Sequence, residues 1–297
     1  MDTSRSQKEI ADGRIAADPV DAMLARHGVR GPWTALPSTG IANRIYATAD
    51  VVLRVATNHP DAVSDARTES VAAPLARAAG ILTPRLIAFD DSRTLVERPF
   101  SLWERIHGET LGVSRLGRFR RKAVWREIGR QIALLHTSVR FCADPDAYLD
   151  TPARELNLQP SLERWIKSAR PSPTVAHDVE RLIGQLRPYV SGCKVADCFV
   201  HNDVHEMNIM CSRNGVLLGL LDWGDAGWGD PTFDFAAIPL DFLPAALNGY
   251  VENVTRLGEC PEARFVWDRL QNALDDAAEN PGSPIPIDAY RRILERH

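Results

Sequence analysis

The stretch Phe199-Val-His-Asn-Asp-Val-His-Glu-Met-Asn-Ile-Met210 sets six polar side chains between two apolar ends. A second stretch follows it: Gly219-Leu-Leu-Asp-Trp-Gly-Asp-Ala-Gly-Trp-Gly-Asp230. Val216–Leu221 reads as a buried strand that ends at Asp222. Asn208 lies five residues after Asp203, and Asp222 nineteen after it. A hairpin brings these three oxygen-bearing side chains together. Carboxylate and amide oxygens without thiolate suit Mg²⁺, which prefers hard oxygen ligands and commonly shares them with substrate phosphates.

Working outward, the residues before this region read as strands and those after it mainly as helices. Asp18-Pro19 opens a helix that ends near Gly28. Trp33–Leu36, Arg44–Ala49, Val51–Ala56, Pro84–Phe89 and Thr94–Arg98 read as strands, with an alanine-rich helix from Asp61 to Ala79. Helices follow over Arg118–Val139, Ser161–Ala169 and Val175–Tyr189. The tail from Thr232 reads as helical, with breaks at Pro244, Pro261 and Pro281-Gly282. Strands followed by helices predict an α+β chain in two lobes. The expected division is a polar tail over 1–17, an N-terminal lobe over 18–106 and a mainly helical C-terminal lobe over 107–297.

Composition narrows the setting. The chain of 297 residues carries 35 basic and 39 acidic residues, a net charge of −4, which disfavours a nucleic-acid binder. Residues 201–297 hold 7 basic and 16 acidic residues, and this acidic third suits either a cationic ligand or a solvated surface. No apolar run reaches membrane-spanning length, the N-terminus lacks a signal-like apolar segment, and five irregularly spaced cysteines do not form a disulfide framework. The expectation is a cytoplasmic protein with no membrane and no nucleic-acid partner.

Phosphoryl transfer needs a carboxylate for the acceptor hydroxyl, groups that hold metal, and cations on the phosphates. His201-Asn202-Asp203 followed by Asn208 matches the His-Arg-Asp-x-x-x-x-Asn spacing of a protein-kinase catalytic loop, with Asn202 in place of Arg. Asp222 stands where the later metal-holding Asp occurs, followed by Trp-Gly instead of Phe-Gly. His-Asn-Asp-x-His-x-x-Asn followed by Leu-Asp-Trp-Gly-Asp resembles the aminoglycoside phosphotransferase and choline kinase family, small-molecule kinases with a protein-kinase-like fold. That family often has His-Gly-Asp-Leu-His-x-x-Asn and Ile-Asp-Trp in these places. Gly229-Asp230-Pro231 and Asp234 resemble its Gly-Asp-Pro…Asp. By element order the resemblance covers about residues 33–240; its specific motifs lie in 199–234.

The resemblance implies a role for each matching residue. Asp203 becomes the catalytic base or hydroxyl orienter, and Asn208 and Asp222 hold Mg²⁺. His201 supports the loop, His205 is read as structural, and Asp230 and Asp234 tie the loop to a helix. ATP is expected in the N-terminal lobe under the turn that includes Ser38, Thr39, Gly40 and Asn43, whose backbone N–H groups suit an anion. The strand Val51–Ala56 has no lysine, so Arg54 takes the phosphate role, with Glu69 either its partner or an exposed helical acid. Leu102–Glu109 is expected to be the hinge that reads adenine, with Trp103 either in it or in the core.

The expected partner is a small-molecule hydroxyl acceptor, with a cationic antibiotic of the aminoglycoside or viomycin type leading. Asp241, Glu252 or Asp276 could bind its amines. A macrolide, choline, a sugar or homoserine stays open as acceptor. A metallohydrolase using His201, Asp203, His205 and Asp222 leaves Asn208 and the N-terminal strands unexplained. A catalytically silent binding protein of the same fold is the other alternative.

Overall fold

Alternating side chains explain the first sheet. The computed structural model describes residues 17–37, 41–193, 195–252, 254 and 257–295. In it β1 (Thr34–Leu36), β2 (Asn43–Ala47), β3 (Val51–Ala56), β4 (Leu86–Asp90) and β5 (Phe100–Glu104) pair antiparallel in the order β1-β2-β3-β5-β4. Val51, Leu53 and Val55 of β3 are buried in one cluster with Val20, Met23 and Leu24 of α1 (Ala17–Arg26). The two-residue period turns Arg54 to the opposite face. On that side lies α2 (Ala62–Ala78), whose buried residues Ala62, Ala66, Glu69, Ala73 and Ala76 recur at helical spacing.

Two boundaries differ from the sequence reading. Thr94–Arg98 is irregular chain, and the fifth strand is Phe100–Glu104. Its first four residues are all buried, so the strand lacks the alternation that marks a half-exposed one. Leu102–Glu104 therefore belong to β5 rather than to a connector. Trp103 is core, with its indole N–H donated to Ser101 Oγ at 2.8 Å. The chain crosses at Arg105–Gly108 into β6 (Glu109–Thr110). Residues 1–16 of the expected tail lie outside the described residues, and Ala17 already belongs to α1.

The second lobe is built on α3 (Arg118–Ser138), α4 (Gln159–Ala169), α5 (Pro173–Ser191), α6 (Leu243–Val251), α7 (Pro261–Glu279) and α8 (Ile287–Leu294). Pro244 and Pro261, read as breaks, instead open α6 and α7, because a first-turn proline gives up an N–H that has no helical partner. β7 (Cys198–Val200) pairs with β10 (Gly227–Gly229), and β8 (Ile209–Cys211) lies between β6 and β9 (Leu217–Leu220). No helix among the described residues is long and apolar enough to cross a membrane.

Helices α3 and α6 meet through two reciprocal glycines. A Cβ at Gly129 would overlap the Ala246 carbonyl oxygen, and one at Gly249 would overlap that of Arg126. Packing this tight leaves no room for a methyl group. Gly129→Ala is expected to destabilise the fold by about 1–3 kcal/mol, read as a lower urea midpoint at unchanged slope.

Candidate active site

The loop between β7 and β8 is held from three directions. His201 is fully buried. Its Nε2–H donates to the Leu221 carbonyl at 2.9 Å, and its Nδ1 accepts the Asp203 backbone N–H at 3.2 Å. Asn202 has a φ of 66°, a left-handed conformation that asparagine tolerates better than most residues. This explains asparagine where the kinase pattern has arginine. Its N–H donates to Asp234 Oδ1 at 2.6 Å. The other Asp234 oxygen meets His136 Nε2 at 2.9 Å, and His136 Nδ1 meets the Tyr250 hydroxyl at 3.0 Å. Asp234 thus links the loop to α3 and, through His136, to α6.

Asp203 and Asn208 close on each other. The Asn208 amide donates to Asp203 Oδ2 at 2.8 Å and to the Asp203 carbonyl at 3.0 Å. His205 Nδ1 accepts the Met207 N–H at 3.1 Å, which leaves its Nε2–H facing Asp203 Oδ2 at 3.3 Å. Burial pushes the Asp203 carboxyl up, but His205, His201 and Asn208 outweigh it and hold it below the usual carboxylate range. The hydrogen bond to Asp203 raises the His205 imidazole against the opposing effect of burial. Asp203 therefore stays an acceptor at neutral pH.

Asp222 arrives from the neighbouring strand. The pairing of Ile209 with Leu220 sets Asn208 beside Leu221, whose N–H donates to the Asn208 carbonyl at 2.8 Å. Asp222 follows with a φ of 64°. Arg54 spans the lobes to reach it: Nη2 donates to Asp222 Oδ1 at 2.8 Å and Nη1 to Glu69 Oε1 at 2.5 Å. Burial opposes the Arg54 charge, yet Glu69 and Asp222 outweigh it and raise the guanidinium above its ordinary value. Burial lifts the Glu69 carboxyl to about 7, with Arg54 offsetting only part of the rise. Glu69 is thus the partner of Arg54 and not an exposed acid.

The donor set fits a hard cation shared with a ligand. Asn208 donates through its amide N–H groups and keeps Oδ1 as acceptor, and the Asp222 side chain is 47% exposed. Among the described residues no cluster of three or more His, Cys, Asp or Glu side chains forms a metal cage. Two protein oxygens with the remaining positions open are what Mg²⁺ accepts when phosphates or water complete its shell.

A family model described as the phosphotransferase enzyme family matches residues 33–272. The chain belongs to that family. This small-molecule phosphotransferase is also similar to solved structures along nearly its whole length. A choline/ethanolamine kinase family protein from Mesorhizobium loti is 21% identical with a TM-score of 0.58, covering 94% of this chain and 93% of that one. A spectinomycin phosphotransferase, in complex with ADP and spectinomycin, is 12% identical with a TM-score of 0.62, covering 95% and 94%. A macrolide 2′-phosphotransferase from Brachybacterium faecium is 19% identical with a TM-score of 0.60, covering 93% and 96%. The shared architecture is the kinase-like, two-lobed α+β fold. No curated protein sequence matches the phosphotransferase.

Ser38, Thr39 and Gly40 lie outside the described residues, and Asn43 opens β2 opposite Ala56. Of the carboxylates considered for acceptor amines, Glu252 is taken by Arg126 and Arg130, and Asp241 lies 3.3 Å from Arg118. Asp276 accepts from Asn280 at 2.9 Å on its own helix, α7.

Asp230 sits in a buried network that the sequence does not announce. It accepts from Arg154 Nη1 at 2.7 Å, Arg264 Nη1 at 2.5 Å and the Thr232 backbone N–H at 2.8 Å. Arg154 also grips Asp268 with Nε and Nη2, both at 2.7 Å. Burial pushes the Asp230 carboxyl up, but Arg154, Thr232 and Arg264 hold it at about 2. A depressed carboxylate contributes stability above its unfolded value of about 3.8 and loses it as pH falls toward 2. The shift corresponds to about 2 kcal/mol. Asp230→Asn should therefore be the less stable form at pH 6, with the gap narrowing below pH ~4 in urea titrations.

The phosphotransferase also has two acids beside the centre: Asp65, which the sequence did not single out, and Asp225, which ends the Leu-Asp-Trp-Gly-Asp motif without a role assigned to it. Asp65 comes from α2 and Asp225 from the loop after Asp222. A Cβ on Gly224 would press on the Asp65 side chain, so the glycine lets the two segments approach. Burial, then the repulsion of Asp225, Asp61 and Asp222, lifts Asp65 to about 6. Burial, then Asp203 and Asp222, lifts Asp225 to about 6. Neither has an ion pair among the described residues.

Proposed function

We propose that this phosphotransferase moves the γ-phosphate of ATP to a hydroxyl of a cationic small molecule. An aminoglycoside or a viomycin-type basic peptide antibiotic leads, with resistance by inactivation as the result. The observation that carries the reaction is Asp203, ionised and fixed by Asn208 and His205, beside an Asp222 already held by Arg54. Asp203 accepts the proton of the acceptor hydroxyl, or orients it, as the oxygen attacks phosphorus. Arg54 carries a buried Nε–H with no partner among the described residues, an unmet donor that suits a phosphate oxygen. Asn208 and Asp222 would hold Mg²⁺, which neutralises charge on the phosphates. Five free cysteines agree with a cytoplasmic setting.

A cationic acceptor is supported by Asp65 and Asp225, acids at the centre raised by burial and then by the repulsion of neighbouring carboxylates, and lacking an ion pair among the described residues. A bound amine relieves that repulsion. Two consequences follow in kinetics. KM for a cationic acceptor should fall as pH rises through about 6, where both acids ionise, while a neutral acceptor shows no such step. Asp225→Asn should raise KM for the cationic acceptor by roughly tenfold, about 1.4 kcal/mol, with much less change in kcat.

The direct test is transfer of label from γ-labelled ATP with Mg²⁺ to a panel of aminoglycosides, viomycin-type peptides, macrolides, choline and sugars. Label on a polyamine acceptor is the expected result. Label only on a macrolide or a neutral sugar would overturn the acceptor reading and leave the reaction class standing.

A further inference from the structure

Away from Asp203, a cavity of about 860 Å³ opens between the β6–α3 loop, the first turn of α3 and Arg213 beyond β8. Four arginines line it: Arg115, Arg118, Arg120 and Arg213. Glu109 is the one carboxylate among its lining residues, 3.8 Å from a nearly fully exposed Arg213. Arg118 meets Asp241 at 3.3 Å with both side chains about two-thirds exposed, a weak pairing in water. Arg115 and Arg120 have no ion pair among the described residues. Arg121, next in sequence, is by contrast committed to the fold through Glu206 and the Leu111 carbonyl.

This charge does not help the fold. The positive end of a helix dipole disfavours cations, and like charges gathered in a concavity repel. The first turn of α3 has no acid to compensate. Beside the arginines, Val113 and Phe119 are 62% and 87% exposed, an apolar rim on a cationic hollow.

The chemistry that relieves both features is anionic and compact. Guanidinium groups fork onto phosphate oxygens, and several in one cavity match a ligand with more than one phosphate. An exposed phenyl ring next to them offers a face to a planar or apolar body. A flat lipid surface would not fill a hollow of this size. We propose that the cavity binds a multiply phosphorylated small molecule, its phosphates on Arg115, Arg120 and Arg213 and its body against Phe119. Glu109 pairs with Cys211 at the far end of β8 from Asn208, about 10 Å along the strand, so the Glu109–Arg213 side of the cavity lies away from the Asp203–Asp222 centre, while Gly112, ahead of the arginines, donates to the Glu206 carbonyl of the β7–β8 loop.

The test is calorimetric titration of the full chain with a naphthalene bisphosphate, which carries two phosphates and a planar ring but no adenine for the proposed ATP cleft, at fixed ionic strength. The expected result is one saturable site. It weakens at least roughly tenfold in the double variant Arg115→Gln with Arg213→Gln. It weakens several-fold in Phe119→Ser and is retained in the cleft variant Asp222→Asn. All the cavity substitutions are at exposed positions, and circular dichroism checks their folding. Equal affinity in wild type and the double variant overturns the proposal, as does binding lost in Asp222→Asn alone. So does unsaturable binding accompanied by Arg115-dependent capture on phosphatidylserine vesicles or single-stranded RNA.

Discussion

Asp203→Asn should lower kcat by roughly 10²- to 10⁴-fold while ATP affinity stays close to wild type. The substitution keeps the shape and the contact with Asn208 but removes the charge proposed to accept the hydroxyl proton. His201, Asn202 and Asp234 fix the loop through backbone groups and remain in place, so folding should not change. Single-turnover label transfer separates loss of chemistry from loss of binding. Turnover within a few-fold of wild type would remove Asp203 from the reaction.

Arg54→Ala carries the second large effect, and it is double. The ion triad with Glu69 and Asp222 loses its only cation, so Glu69, with its side chain 7% exposed, is left without a charge partner. Glu69, already raised to about 7, then takes up a proton, and the buried carboxyl left without its donor costs about 1–3 kcal/mol. On the proposed function the same change also removes a phosphate donor, so KM for ATP should rise steeply. Pairing Arg54→Ala with Glu69→Ala should recover part of the stability and none of the ATP binding. That split distinguishes a structural arginine from one that also serves the nucleotide. Arg54→Lys should lie between, because one ammonium lacks the fork that reaches both acids.

The legible part of this chain was the part written in local spacing. The Asp203–Asn208 interval and the strand running into Asp222 prescribed the hairpin that the structure contains. Arg54 was named because the kinase pattern's third-strand lysine is missing, and the structure sets it between Glu69 and Asp222. Phe100–Glu104 was misplaced because a strand buried on both faces has no period. Pro244 and Pro261 were misread because first-turn prolines look like breaks until the helix beyond them is seen. The Arg154–Asp230–Arg264 network joins residues separated by 76 and 34 positions. Asp65 and Asp225 meet across an even longer stretch of sequence. No periodicity records such pairings. They arise only when the chain folds and unrelated segments share a dielectric.

The paired glycines of α3 and α6 have a mechanical meaning. With each backbone seated against a carbonyl of the other helix, a slide by one residue would drive a side chain into that seat. The joint is keyed, not greased. Tyr250, next to Gly249, holds His136, and His136 holds the aspartate that anchors Asn202. A push on α6 is therefore delivered to the β7–β8 loop as displacement rather than absorbed as slack, and insertions in α6 should be read out at Asp203 long before the protein melts.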